Sequence, residues 1–206
     1  MSVPNGALSS LREIFAGEIV LPGNADYDSA RAVWNGMIDR RPAIVLRAAN
    51  AADVSTAIGF ARKQELGIAV KSGGHSIPGL STCDDGAVID LSRMRGVEVD
   101  PDHRVAQAHG GSLLGELDGQ AQAFGVVGHT GVAGLTLGGG MGRLQRRFGL
   151  TIDNLVSVEL VTADGQLVRA SEEENADLFW GVCGAGVNSG ILPSFQFRLH
   201  WLDGAV

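Results

Sequence analysis

Six glycines fall among the twelve residues Gly131-Val132-Ala133-Gly134-Leu135-Thr136-Leu137-Gly138-Gly139-Gly140-Met141-Gly142, and mostly apolar side chains stand between them. A flexible linker would be polar, with serine in place of leucine. Glycine interleaved with core-type residues marks a buried path where another molecule touches the main chain. The whole chain carries the theme, since 30 of its 206 residues are glycine, about twice the usual share, without a collagen period. Two more patches repeat it. Lys71-Ser72-Gly73-Gly74-His75-Ser76 directly follows a predicted strand, and Gly184-Ala185-Gly186-Val187-Asn188-Ser189-Gly190-Ile191 leads into another. Adjacent glycines let successive amides turn inward around an anion, and Lys71, Ser72 and Ser76 are candidate side-chain donors.

Periodicity places these loops in an α+β frame. Ala43–Arg47 reads as a buried strand, and Asn50 caps a helix through residue 64 with Val54, Ala57, Ile58 and Ala61 on one face. Ile68–Lys71 and Ala87–Asp90 are further strands, and strand–helix–strand in so few residues predicts a parallel pair with a crossover. Ser9–Phe15 and residues 28–37, with Ala30, Val33, Trp34 and Met37 on one face, read as short helices. Beyond residue 96 the pattern turns antiparallel. Val97–Asp100 and Arg104–Ala108 flank a hairpin turn, and Ser112 is expected to cap a helix to about Phe124. Val156–Thr162 and Gln166–Arg169 form a second hairpin around Ala163-Asp164-Gly165. Ser171-Glu172-Glu173-Glu174 matches a capping box that would open a helix with Leu178, Phe179 and Trp180. Phe195, Phe197 and Leu199 alternate with polar residues as a final half-buried strand.

Composition and motif spacing exclude several functions. The chain is 45 % hydrophobic and 19 % charged, which is globular rather than disordered. Its formal net charge of −7 argues against a nucleic-acid partner. The apolar runs are too short for a membrane helix. Met1-Ser2-Val3-Pro4-Asn5 shows no basic stretch followed by an apolar core, and Cys83 and Cys183 read as isolated thiols, so a cytoplasmic protein is expected. There is no Gly-Lys pair for a Walker loop. Gly138-x-Gly140 lacks the third glycine of a dinucleotide fingerprint, because Arg143 stands there. The five histidines lack metal-ligand spacing, so no metal is expected. His109 and His129 read as surface loop histidines.

The residues in order resemble a family. Tyr27–Gly36, Arg40-Arg41-Pro42-Ala43, Lys71–Ser76, Val88-Ile89-Asp90-Leu91-Ser92, Gly131–Gly142, Phe148-Gly149-Leu150-Thr151 with Asp153-Asn154, and Asp177-Leu178-Phe179-Trp180 are similar to the N-terminal half of berberine-bridge-enzyme-like flavin oxidoreductases, of the vanillyl-alcohol-oxidase and p-cresol-methylhydroxylase (PCMH) superfamily. The resemblance implies a two-lobed PCMH-type FAD-binding domain over residues 41–200. A small parallel α/β lobe would cover about 41–95, and a larger antiparallel-sheet α+β lobe about 96–200. Residues 1–40 would form an N-terminal segment, and 201–206 a tail. It implies FAD as cofactor, held by Lys71, Ser72, Gly73, Gly74, His75, Ser76, Gly131, Val132, Gly134, Leu135, Thr136, Gly138, Gly139, Gly142, Asn188, Gly190 and Ile191. In the family the Gly-Gly-His histidine is often bonded to the flavin 8α-methyl, a role that falls on His75. Some members add a cysteine tether before the second glycine loop. Val127-Gly128-His129 stands there and has no cysteine, so at most one covalent bond is expected.

Two departures shape the functional expectation. Cys183 and Val187 replace an arginine and a glycine of the family's third patch. Family members also continue into a substrate-binding domain that supplies the catalytic base, so no catalytic residue is assigned here. The leading expectation is the FAD domain of an oxidoreductase that moves a hydride from an alcohol, sugar or similar substrate to flavin N5. Reoxidation by oxygen or another acceptor follows, and a substrate domain or partner subunit completes the site. The alternatives are a flavin-binding electron-transfer subunit and a degenerate domain without activity.

Overall fold

The computed structural model describes residues 3–121, 127–185 and 188–201. The end of the predicted helix at Phe124, and Gly186 and Val187 of the third patch, lie outside the described residues. Two sheets organise the chain. The first contains β1 (Glu18–Val20), β2 (Ile44–Arg47), β3 (Ile68–Lys71) and β4 (Ala87–Asp90) in the order β1-β2-β4-β3. β2, β4 and β3 run parallel, and β1 is antiparallel to β2. The predicted parallel pair is therefore real in direction but not in contact, because β4 lies between β2 and β3. Ile44, Val45, Leu46, Ala87, Val88 and Ile89 are all buried, as befits strands covered on both faces.

Helix α3 (Ala51–Lys63) crosses between β2 and β3. The Asn50 side chain accepts the Asp53 amide at 3.0 Å, which caps the helix as its sequence predicts. Asp53 in turn accepts the Ala16 and Ala49 amides, so one buried carboxylate ties the preceding chain to the helix start. Val54, Ala57, Ile58 and Ala61 join Leu8 and Leu11 of helix α1 (Asn5–Ile14) in the first core, which also takes in Val161 and Ile191 from the second sheet.

The second sheet is wholly antiparallel. It contains β5 (Val97–Asp100), β6 (Val105–His109), β7 (Leu155–Val161), β8 (Leu167–Ser171) and β9 (Ile191–Arg198) in the order β5-β6-β9-β7-β8. Helices α4 (Leu114–Ala121), α5 (Val132–Leu137) and α7 (Ala176–Ala185) supply its core with Leu114, Leu117, Val132, Phe179 and Val182. β9 is the central strand, with Ile191 to Phe195 buried without a break. The alternation expected there holds over Phe195–Arg198, where Phe195 and Phe197 are buried, Gln196 is half-buried and Arg198 is exposed.

Three local expectations are corrected, and one strand was missed. Helix α2 spans only Tyr27–Arg31, and Ala32 turns extended, so Trp34 and Met37 are exposed rather than on a helix face. Ser112 does not cap α4. Its hydroxyl donates to the Gly96 carbonyl at 2.8 Å and accepts the Gly96 amide, while Glu116 accepts the Leu113 amide. The Ser171 hydroxyl accepts the Glu173 and Glu174 amides, but that turn precedes α7, whose first turn instead leans on the Asn175 carbonyl. β1 was not anticipated, since Glu18-Ile19-Val20 is too short to show a period.

The Ser112 geometry carries a test. Ser112→Ala takes the hydroxyl acceptor from the half-buried Gly96 amide, while the Gly96 carbonyl keeps the His109 amide, costing about 1 kcal/mol. Amide exchange should accelerate at Gly96 and along β5 while α4 stays protected, whereas a lost helix cap would free α4 first.

Candidate functional site

The three glycine patches converge. β3 ends at Lys71, and the chain turns through Ser72–Ser76 with Gly74 at φ +67°. α5 begins after Gly131. A Cβ at Gly73 would sit 2.4 Å from the Gly131 nitrogen, and one at Gly131 2.6 Å from the Gly73 nitrogen. Neither separation is possible for a real side chain, so the two loops touch backbone to backbone because both positions are glycine. Gly190, at the entry to β9, makes a similar approach, with its notional Cβ 2.5 Å from the Val161 carbonyl oxygen.

Beside this contact lies a cavity of about 620 Å³, within the usual range for a small-molecule site. Ser72, Gly73, Gly74, His75, Ser76, Gly131, Gly134, Leu135, Gly138, Asn188, Gly190 and Ile191 line it, all anticipated from sequence. Ile68, Val70, Leu80, Ser81, Leu91, Thr130, Ala133, Leu137 and Leu192 were not anticipated. Ile68 and Val70 could have been suspected, since an apolar edge strand needs something to face. They are 42 % and 36 % exposed because β3 is the sheet edge that forms the cavity wall.

Five anticipated residues stand outside the lining. Val132 and Thr136 are fully buried in α5. Gly139 and Gly140 form a positive-φ turn whose carbonyls accept the Ile152 and Thr151 amides, so they dock the loop onto the 3-10 turn Ile152–Asn154. The Gly142 carbonyl accepts the Gln145 amide at the start of α6 (Gln145–Phe148). Lys71 turns away from the cavity. Its ammonium donates to the Ala30 carbonyl at 2.8 Å and lies 3.8 Å from Asp90, which is 2 % exposed. Arg47, Asp90 and Lys71 stand side by side on β2, β4 and β3. Burial pushes the Lys71 ammonium down from its ordinary value, against the pull of Asp90. The row anchors the strand ends from which the Ser72–Ser76 loop departs.

His75 is held on two sides. Trp34 stacks on it at 5.1 Å between ring centroids, fixed by the Trp34 amide donating to the Gly74 carbonyl. His129 meets it edge-on at 4.6 Å. Burial first, and the neighbouring His129 second, push the His75 imidazole below the ordinary histidine value, so it is neutral at pH 7. His129 is exposed, as expected, but it belongs to the site. His109 ends strand β6 rather than sitting in a loop, and it is half-buried.

The chemistry of the cavity fits FAD. The Ser72 hydroxyl is buried without a hydrogen-bond partner, an unmet polar group that a phosphate or ribityl oxygen would satisfy. The glycine cradle admits a ligand close to peptide groups, and Ile68, Val70, Leu80, Leu135 and Leu137 offer apolar walls for aromatic rings. Among the described residues no group of three or more acidic, histidine or cysteine side chains could hold a metal, and no helix is long and apolar enough to cross a membrane.

Comparison with known proteins gives the same cofactor. A family model described as an FAD binding domain matches residues 42–171. The FAD-linked oxidoreductase pgmH of Aspergillus terreus is 41 % identical over 94 % of this chain and 41 % of its own length. The crystal structure of 6-hydroxy-D-nicotine oxidase from Arthrobacter nicotinovorans superimposes with a TM-score of 0.88 at 34 % identity, over 90 % of this chain and 42 % of that one. Glucooligosaccharide oxidase from Acremonium strictum, which carries a 6-S-cysteinyl, 8α-N1-histidyl FAD, gives 0.87 at 32 % identity, over 95 % and 42 %. The chain thus spans about two fifths of the length of these relatives.

Two glycine substitutions separate packing from ligand contact. Gly131→Ala forces its methyl into the Gly73 backbone and should cost about 1–3 kcal/mol, seen as a lower denaturation midpoint. Gly134 meets nothing within 4 Å and sits inside α5. Gly134→Ala should hold or gain stability, by up to about 1 kcal/mol, while weakening retention of FAD because it lines the cavity.

Proposed function

The chain belongs to the family of FAD-binding domains of FAD-linked oxidoreductases, and we propose that it serves the oxidation of an alcohol, sugar or similar substrate, with His75 as a single covalent anchor for the cofactor. The observation that carries the reading is the cavity at the Gly73–Gly131 contact, where a neutral, ring-clamped histidine stands beside a buried unsatisfied hydroxyl. FAD held here would supply two-electron acceptance of a hydride equivalent from substrate carbon, with oxygen or another acceptor as the oxidant.

The chain's own residues bind, orient and exclude water. Ser72 offers its hydroxyl, and the glycine peptides at 73, 74, 131 and 134 let the cofactor approach the main chain. Leu135, Leu137, Ile68 and Val70 keep the cavity wall apolar. His75, uncharged at neutral pH, presents a nucleophilic nitrogen. No cysteine stands at residues 127–129, which supports one tether where glucooligosaccharide oxidase has two.

Substrate recognition belongs in this proposal to a further domain or subunit. The 32–38 and 74–82 segments are tied together through Asn35 and the Ile77 carbonyl, and they expose Trp34, Met37, Ile77 and Leu80, with Trp34 against the His75 ring. Such an apolar rim favours cover by another surface. The same rim supports the second reading, an electron-transfer subunit whose partner covers it. Both free cysteines are consistent with a reducing, cytoplasmic setting.

Absorption spectra before and after acid precipitation test the proposal. The expected result is yellow colour in the pellet, moving to the supernatant in His75→Ala. A colourless protein that takes up no added FAD would overturn it.

A further inference from the structure

A second stretch of chain is laced onto the Gly-Gly-His loop. Residues 30–40 run alongside 71–82 in the same direction, and hydrogen bonds tie them at intervals. The Lys71 ammonium donates to the Ala30 carbonyl at 2.8 Å, the Trp34 amide to the Gly74 carbonyl at 3.0 Å, and the Asn35 side-chain amide to the Ile77 carbonyl at 2.8 Å. The Arg40 guanidinium closes the far end on the Gly79 and Thr82 carbonyls, at 3.3 and 3.0 Å. Burial does not account for this strap, because Trp34 is 60 % exposed and Met37 90 %. Trp34 also stands outside the cavity lining. Among the described residues its indole pairs with one other aromatic ring, that of His75, with 21° between the planes. We propose that Trp34 is a positioning residue for covalent attachment: the strap holds its indole as a fixed plate, and the plate selects one orientation of the His75 ring. The inference rests on the reading of His75 as the tether.

The ties bracket His75. Gly74 immediately precedes it and Ile77 follows two residues later, so strap and loop keep one relative position on both sides of the histidine. Lys71 gains a part in the same device, since its ammonium, held beside the buried Asp90, fixes the end of α2 from which the strap departs. An unrestrained histidine samples three χ1 wells with a broad χ2. A plane held against the ring limits both angles. The other χ1 wells carry the ring off the indole, and tilting about χ2 breaks the parallel contact. Freeing χ1 alone dilutes the productive arrangement about threefold, and poorer alignment of the attacking nitrogen adds to that loss.

The attachment itself balances. A bond forms between an imidazole nitrogen of His75 and the flavin 8α-carbon. One proton leaves the methyl group, one leaves the imidazole, and the electron pair of the broken C–H bond reduces the ring system. Dioxygen then takes up that pair and two protons as hydrogen peroxide. His75 supplies the attacking nitrogen, and Trp34 acts through His75.

The test uses the whole chain produced in riboflavin-starved cells, wild type beside Trp34→Ala and Trp34→Phe. Without cofactor, NMR reads the carbon-bound ring protons of His75, assigned by their loss in His75→Ala. Under the indole face they should lie at high field in the wild type, move to low field in Trp34→Ala, and stay close to wild type in Trp34→Phe. FAD is then added over a range of concentrations. Quenching of flavin fluorescence reads reversible binding, and flavin in the acid-precipitated pellet reads attachment with time. In Trp34→Ala the attachment rate at saturating FAD should fall about three- to tenfold, while the dissociation constant stays within about twofold of wild type. Trp34→Phe should recover most of the rate, because a phenyl ring also presents a flat face. An unchanged saturated rate in Trp34→Ala overturns the inference, as does a rate loss matched by an equal loss of FAD binding, or failure of phenylalanine to rescue. Absence of pellet flavin in the wild type overturns the tether reading instead. The NMR comparison then still decides whether Trp34 orients His75, and unmoved His75 signals in Trp34→Ala overturn that.

Discussion

Two peptide backbones meet where Gly73 touches Gly131, and the rest of the site depends on that contact. It brings a loop at the edge of a parallel sheet against the start of a helix packed on an antiparallel one. A methyl group at either position would push the loops apart, so the cavity is a consequence of missing atoms. Everything functional sits within reach of it: the unsatisfied Ser72 hydroxyl, the clamped His75, and the apolar wall made by Ile68, Val70 and Leu135. The anchors lie behind. The row of Arg47, Asp90 and Lys71 holds the strand ends on one side, and the carbonyls of Gly139 and Gly140, bound by residues 151–152, hold the long glycine loop on the other.

Much of this was legible because close approach requires glycine, and glycine between apolar residues is an unusual spelling. What sequence could not separate is why each glycine is there. Gly131 and Gly134 face the cavity, whereas Gly139 and Gly140 serve a turn, and all four read alike. Lys71 was misleading in a related way. A lysine beside a Gly-Gly pair looks like an anion ligand, but its direction depends on Asp90, nineteen residues further along on a neighbouring strand. Ser112 looked like a cap because a helix follows it, and its true partner is the Gly96 backbone across the hairpin. In each case the missing information was non-local. The helix at Asn50 succeeded because its capping partner, Asp53, lies within the same turn.

The electrostatic arrangement follows from the same economy. The chain carries a net charge of −7, yet its site is meant for a diphosphate. The cation nearest the Gly-Gly turn is committed to the interior. Binding of an anion here is left to peptide dipoles and hydroxyls, which carry no net charge and lose little solvation when the cavity closes over a ligand. A site of this kind tolerates the acidic surface around it and is less sensitive to salt than one built from exposed lysines.

The central position of β9 has a consequence for how the molecule is made. β5, β6, β7 and β8 are all synthesised before the strand that joins them, and β6 and β7 each pair with β9 and not with each other. Until residue 198 has left the ribosome, two hairpins carry open edges with Val105, Ala106, Val158 and Leu160 among their residues. Unpaired edges of that composition invite pairing with the wrong chain. Assembly of the second lobe therefore waits for β9, and it is dominated by contacts of long sequence separation and slow for that reason. Ile191, the first residue of β9, lines the cavity and packs in the first core. The cofactor site and the sheet are thus completed in the same step, and a chain that has not finished folding has nowhere to hold its flavin.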